Sequence, residues 1–324
     1  MSSCGRPERG GAIFEARCYG LRVSSDRPVP GLPPHAGAGA PDLKLYLGRS
    51  PGWTEGDAEP ANADDEGDGL RRYDLPGGRV LLRYADGSAF HVDLASAEVW
   101  ATWPASQTLE DAATYLLGPV LGFIARRRGR LCLHASTALI GGRAVAFAGA
   151  AGAGKSTLAA ALALTGSPIL SEDVTCLAER GAGFEVEPGY PRVRLWQDAA
   201  PLLGTTAEAL PLLTPTWDKR YLPLNGRGAA FHDRPGPLEA IYVLTARRAM
   251  AEPAAVCELG GQEVLSSLLA NTYASHLLDP GHHAREFERL GRLARAVPVR
   301  ELALNADGGR LAEACDWIRR RASA

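Results

Sequence analysis

With 324 residues, the chain is long enough to bury a sizeable core in one or two domains. Its 35 basic and 37 acidic residues leave a formal charge of −2, which excludes a broadly basic surface for nucleic acid or acidic lipid. Six cysteines without C-x-x-C spacing read as reduced, mostly buried thiols of a cytoplasmic protein, and "MSSCGRPERGGAIFEA" lacks the apolar core of a signal peptide.

The first hundred residues are punctuated by turns. In "DLPGGRVLLRYADGSAFHVDL", Gly-Gly and Asp-Gly separate short alternating runs, so Arg79–Tyr84 should pair with Ala89–Leu94 across Asp86-Gly87. Ahead of them, the stretch from Arg49 to about Leu70 is acidic, rich in Gly and Pro and nearly without bulky apolar residues, which predicts a mobile, solvated loop. From Leu109 the spacing becomes helical. "YLLGPVLGFIA", Tyr115 to Ala125, is about half the length that spans a bilayer and predicts a buried helix, with no membrane partner. The arginines that follow, Arg126 to Arg130, suit a helix C-terminus, where cations favour the dipole; a docking patch for an acidic peptide is the alternative. The expected division is therefore a β-rich module over 1–106 and an α/β domain over 107–324.

"RAVAFA", Arg143 to Ala148, reads as a buried strand, and "KSTLAAALAL" from Lys155 as a helix. Between them, Gly149-Ala150-Ala151-Gly152-Ala153-Gly154-Lys155-Ser156 matches G-x-x-x-x-G-K-[ST] at every fixed position, with Thr157 next in line. Glycines let backbone N–H groups curl around phosphate oxygens, and a helix N-terminus adds partial positive charge. Lys155 would reach the β and γ phosphates of ATP, and the Ser156 hydroxyl would bind Mg²⁺. Downstream, "GSPILSEDVTCL" places Glu172 and Asp173 at the end of a short strand, Pro168 to Leu170. Paired acids there would supply one carboxylate for Mg²⁺ and one to take a proton from an attacking hydroxyl. No N-K-x-D segment for guanine is present.

The segment "LHASTALIGGRAVAFAGAAGAGKSTLAAALALTGSPILSEDV", Leu133 to Val174, resembles the core of HPr kinase/phosphorylase, itself similar to ATP-dependent phosphoenolpyruvate carboxykinase. His134 lies fifteen residues before Gly149, and Glu172 and Asp173 lie seventeen and eighteen after Lys155, in the family's order and spacing. The resemblance implies a P-loop serine kinase in which Glu172 is the general base, Asp173 and Ser156 hold Mg²⁺, and His134 sits near the reacting phosphate. Taken alone, a histidine on a strand reads equally as a satisfied core residue. Two departures stand out: Glu172 replaces an Asp, and the family's later Glu-Ile-Arg-Gly signature is replaced by "EVEPGYPRVRLW", which puts the reverse reaction and HPr itself in doubt. "PGYPR" (Pro188 to Arg192) and "DKRY" (Asp218 to Tyr221) bring the chain closer to the HPr-kinase-like proteins associated with ribosomally made peptides, including lasso-peptide kinases. The implied partner is a peptide or small-protein phosphoacceptor, with self-association into a homo-oligomer left open. A nucleotide-dependent ATPase or regulator with no acceptor is the alternative.

One of Arg192, Arg194, Lys219 and Arg220 should meet charge on the transferred group. Further on, Leu238 to Ala246 predicts a core strand, Glu263 to Leu277 an amphipathic helix, "VPVRELAL" an edge strand and "GRLAEACDWIRRRA" a closing helix. His276, His282 and His283 are too irregularly spaced for a metal site and suit a solvated helix end.

Overall fold

The computed structural model describes residues 13–322, apart from 36, 38, 54–55, 57–58, 62–68 and 226–227. Much of the acidic stretch expected to be a mobile loop, and Cys4, lie outside the described residues. The architecture is mixed α/β with extensive sheet.

Seven strands, β1 (Phe14–Cys18), β2 (Leu21–Ser25), β3 (Leu43–Leu47), β4 (Arg71–Leu75), β5 (Arg79–Arg83), β6 (Ala89–Asp93) and β7 (Glu98–Thr102), form one sheet in the order β1-β2-β3-β7-β6-β5-β4. Alternation drives it: in β2 and β3 every second side chain is buried while those between are not. The Asp86-Gly87 hairpin forms as expected, with Leu82 opposite Phe90.

Next come α1 (Leu109–Tyr115) and α2 (Leu121–Arg127). Thr108 and Asp111 make a reciprocal capping box at the start of α1. The two helices are joined by a π turn over Leu116–Val120 that contains Pro119, whose missing N–H interrupts the α-helical ladder. Their apolar side chains share one core with the seven-stranded sheet, including Leu43, Phe90, Leu116, Leu121 and Phe123.

The second sheet uses β8 (Leu131–Ile140), β9 (Arg143–Ala148), β10 (Ile169–Ser171), β11 (Val174–Arg180), β12 (Gly183–Glu187), β15 (Gly236–Leu244), β16 (Ala254–Glu258) and β17 (Val299–Leu304); β13 (Arg192–Leu195) and β14 (Arg220–Pro223) form a separate hairpin pair. Ten residues long, β8 pairs through its first half with β11 and through its second with β9. Since β9 also runs parallel to β15, and β12 joins β11 to β15, the pairings close into a ring. One apolar cluster contains residues of α3 (Lys155–Leu164) and α6 (Leu311–Ala322); another contains residues of α4 (Gly261–Ala270) and α5 (Pro280–Ala296).

Two expectations are corrected. The strand at Val299–Leu304 is interior, hydrogen-bonded to β15 on one side and β16 on the other, because it inserts between these two earlier strands. The helix expected to run from Glu263 to Leu277 stops at Ala270, because the following residues turn to pair with β8: Thr272 bridges Leu133 and the Tyr273 N–H donates to the Cys132 carbonyl. Helix α5 had no counterpart in the sequence reading. Among the described residues no helix is long and apolar enough to cross a membrane.

Candidate functional site

The glycine-rich turn follows the C-terminal end of β9 and runs straight into α3. Gly154 caps α3 with φ +95°, a left-handed conformation that a side chain would strain, and no side chain caps the helix. Among the described residues, the N-cap position therefore supplies no side-chain acceptor to the first-turn N–H groups of α3. Lys155 is buried, and its ammonium donates to the carbonyls of Gly149 (2.7 Å) and Ala150 (2.9 Å). Burial lowers its pKa, opposed by the charges of Asp173 and Glu172.

Those two acids occupy the turn between β10 and β11, which faces the loop because β8 pairs with β9 on one side and with β10 and β11 on the other. Glu172 is 3 % exposed, and its Oε1 accepts from the Ser156 hydroxyl at 2.7 Å. Its Oε2 accepts from Arg194 Nε at 3.0 Å. Asp173 adopts φ +66°, a left-handed conformation that Asp tolerates better than most residues. Its Oδ2 accepts from the Tyr273 hydroxyl (2.9 Å) and pairs with Arg194 Nη2 (2.6 Å), while Oδ1 lies 3.4 Å from His134 Nε2. Burial alone would push the Asp173 carboxyl up. Arg194, His134 and Tyr273 overcome it and hold the group well below the usual carboxylate range. The same carboxylates keep the buried Arg194 guanidinium charged, against the desolvation that would lower its pKa.

The structure thus brings together His134, Lys155, Ser156, Glu172 and Asp173, with Gly149 to Thr157 forming the turn and first residues of α3. Ser156, expected with Asp173 on a metal, has its hydroxyl bonded to Glu172.

Of the four candidate cations, Arg194 is the one bonded to both acids, because β13 carries it inward, 8 % exposed. Arg192 lies over the Tyr221 ring at 4.4 Å, Lys219 over Trp196 at 4.7 Å, and Arg220 donates to the Leu210 carbonyl at 3.2 Å. Burial and the charge of Arg194 depress the Lys219 pKa, against a partial opposing effect of Glu172 and Asp173. His282 is held by Asp279 at 2.7 Å at the start of α5.

Tyr273 was missed. It sits in the break after α4, and its ring packs against Gly122, where an added Cβ would come within 2.9 Å of it. The glycine of "VLGFIA" is the one local trace of that contact.

The donor set fits a magnesium-bound nucleoside polyphosphate. Uncapped amides and a buried ammonium suit phosphate oxygens. The Ser156 hydroxyl and the Glu172 carboxylate suit an ion that takes oxygen ligands. Among the described residues no group of three or more His, Cys, Asp or Glu is placed to hold a metal, so an ion here would draw most of its ligands from phosphate and water.

No protein-family model matches the sequence, and no curated protein does. Among solved structures, the chain is similar to the Hpr(Ser) kinase/phosphatase from Coxiella burnetii at 14% identity, over 59% of this chain and 96% of that one, with a TM-score of 0.30.

Proposed function

We propose that the chain is an ATP-dependent kinase of the P-loop type that phosphorylates a serine hydroxyl on a peptide or small protein. The observation that carries this reading is the Ser156–Glu172 hydrogen bond, which joins the phosphate-binding turn to an acid, histidine and arginine cluster on the neighbouring strands. The sequence resemblance of Leu133 to Val174 to HPr-kinase-like proteins supports it further.

A bound magnesium nucleotide supplies the phosphoryl group. Lys155 and the amides of α3 bind its phosphates, Lys155 leaving the Gly149 and Ala150 carbonyls to do so. Ser156 and Glu172 would hold its metal ion, which would offset charge on the phosphates. Asp173 is the more accessible acid, and its Oδ1 is the less heavily bonded oxygen. It accepts the hydrogen of the acceptor hydroxyl, and the proton passes to it as that oxygen bonds to the γ-phosphorus and the bond from that phosphorus to the β-phosphate oxygen breaks, with ADP as the leaving group. The two acids therefore exchange the roles that the resemblance implied. Arg194 lies between them and opposes negative charge that develops there.

Incubation with γ-labelled ATP, Mg²⁺ and a panel of serine-containing peptides tests the reading. Label recovered as phosphoserine supports it. Steady ATP hydrolysis with no labelled acceptor in any peptide moves the chain to the ATPase reading.

A further inference from the structure

The N-terminal ends of β8 and β12, the far end of β11 and one face of α5 enclose a groove unrelated to the phosphate-binding turn. Its central lobe, about 360 Å³, is lined by Arg128, Arg130, Arg180, Arg289 and Arg292 over Leu131 and Phe184. A second lobe of about 310 Å³ shares Glu179, Phe184 and Arg292 and adds Arg295. A smaller lobe shares Gly129, Arg130 and Arg289 and adds Arg285.

Some of these charges are met within the protein. Arg292 makes two bonds to Glu179 (2.9 and 3.2 Å), Arg130 bonds to Glu187 at 3.0 Å, and Arg180 lies near Glu185 and Glu187. Four are not. Arg128 donates to the Asp42 carbonyl and Arg289 to the Gly129 carbonyl, neither of which carries a charge. Arg285 and Arg295 are exposed and have no ion pair or hydrogen bond among the described residues. A chain of formal charge −2 thus concentrates uncompensated guanidinium groups in one groove.

Arg285, Arg289, Arg292 and Arg295 recur at helical spacing along α5, a line of about 15 Å. A single small anion would meet one lobe. An extended chain of about five residues would meet all of them, at about 3.3 Å per residue. Guanidinium forks match carboxylates in pairs.

We propose that this groove is a docking site for an acidic segment of the phosphoacceptor polypeptide. Leu131 is opposite Leu177 and His134 opposite Val174 in the β8–β11 pair, so groove and catalytic cluster lie at opposite ends of the same two strands. The three steps from His134 to Leu131 span about 10 Å and the six from Asp173 to Glu179 about 20 Å. The acidic segment therefore lies about three to six extended residues from the serine that is modified. That the occupant is the phosphoacceptor rests on the kinase reading; binding of an acidic chain by the groove does not.

The test is fluorescence anisotropy of a labelled ten-residue oligoglutamate peptide with the full-length protein, alongside calorimetry of Mg-ATP binding. The double variant Arg285→Glu/Arg295→Glu removes two unpaired charges and no internal bond. Arg234→Glu/Arg320→Glu, exposed and outside the groove, is the charge-matched control. Expected are salt-sensitive binding by the parent, a loss of about tenfold in the groove variant, little change in the control, and equal Mg-ATP affinity in all three. Equal peptide binding by groove variant and control, or none by the parent, overturns the proposal. Displacement of the peptide by single-stranded RNA at lower concentration than by unlabelled oligoglutamate also overturns it, in favour of a nucleic-acid partner. If Mg-ATP binding is absent from the parent while the groove behaves as expected, the kinase reading fails and the acidic docking site stands.

Discussion

At the scale of single residues, Lys155 carries the largest expectation. Its ammonium is buried, is held by two carbonyls and, among the described residues, has no carboxylate bonded to it, so its charge is available to an incoming anion. Lys155→Ala should abolish measurable Mg-ATP binding by calorimetry while leaving the thermal transition within a few degrees of the parent. The two acids should separate in kinetics. Asp173→Asn keeps a residue that tolerates the left-handed turn but removes the proton acceptor. It should retain nucleotide binding and slow transfer by about two to four orders of magnitude, the usual worth of a general base. Glu172→Gln should instead raise the Mg²⁺ concentration needed for half-maximal rate. Transfer by Asp173→Asn at the parental rate, measured at saturating Mg-ATP with a verified acceptor, would return the base to Glu172.

Among the elements, α5 is held at its start by Asp279 and along its length by Glu286. The Asp279 side chain accepts from the His282 N–H and bonds the His282 ring and Arg127. Burial is the largest single influence and raises its pKa, but the bonds to His282 and the charge of Arg127 together outweigh it and bring the value down to about 2. Because the folded value lies below the ordinary one, the stabilisation is fully present above about pH 4 and is lost as the pH falls towards 2. Asp279→Ala should cost about 1 kcal/mol at pH 7, read by urea unfolding, and flatten the pH dependence of stability over that interval. Glu286 forms a buried pair with Arg126, which also donates to the Tyr273 carbonyl. That one guanidinium ties α2, α5 and the segment carrying Tyr273. Arg126→Ala leaves a buried carboxylate unpaired and should cost about 3–5 kcal/mol, with loss of activity in the fraction that still folds. The arginine-rich stretch from Arg126 therefore divides between structure and surface. Arg126 holds the interior, whereas Arg128 and Arg130 line the groove.

For the whole molecule, the two sheets are coupled through α1 and α2. Leu116, Leu117, Val120, Leu121 and Phe123 bury themselves against strands of the first sheet, and the Tyr19 hydroxyl donates to the Leu117 carbonyl inside the helical π turn. The Tyr19 N–H reaches the Pro188 carbonyl, just ahead of the strand that carries Arg194. A chain restricted to residues 107–324 would expose that apolar helical face. It should aggregate or fail to give a cooperative thermal transition, as read by scanning calorimetry and light scattering. A monodisperse, cooperatively folding 107–324 fragment would show that this part of the chain folds without the first sheet.

What the sequence determined by itself is what depends on neighbouring residues. The turn from Gly149 to Ser156 is legible because its backbone conformation and its lysine are set within eight consecutive positions. The strand before it, the helix after it and the hairpin at Asp86-Gly87 follow for the same reason. What only the tertiary structure decided involves contacts between distant parts of the chain. Ser156 finds Glu172 sixteen residues on, and Tyr273 finds Asp173 across a hundred, through the register of β8 with β11 and with the segment after α4. Arg194 is separated from three equally plausible cations only because β13 turns it inward. The strand at Val299 becomes interior only because β16 covers it. Local patterning fixes which way a strand's faces point, but which strands become neighbours depends on the free energy of the assembled core, and no single segment carries that information.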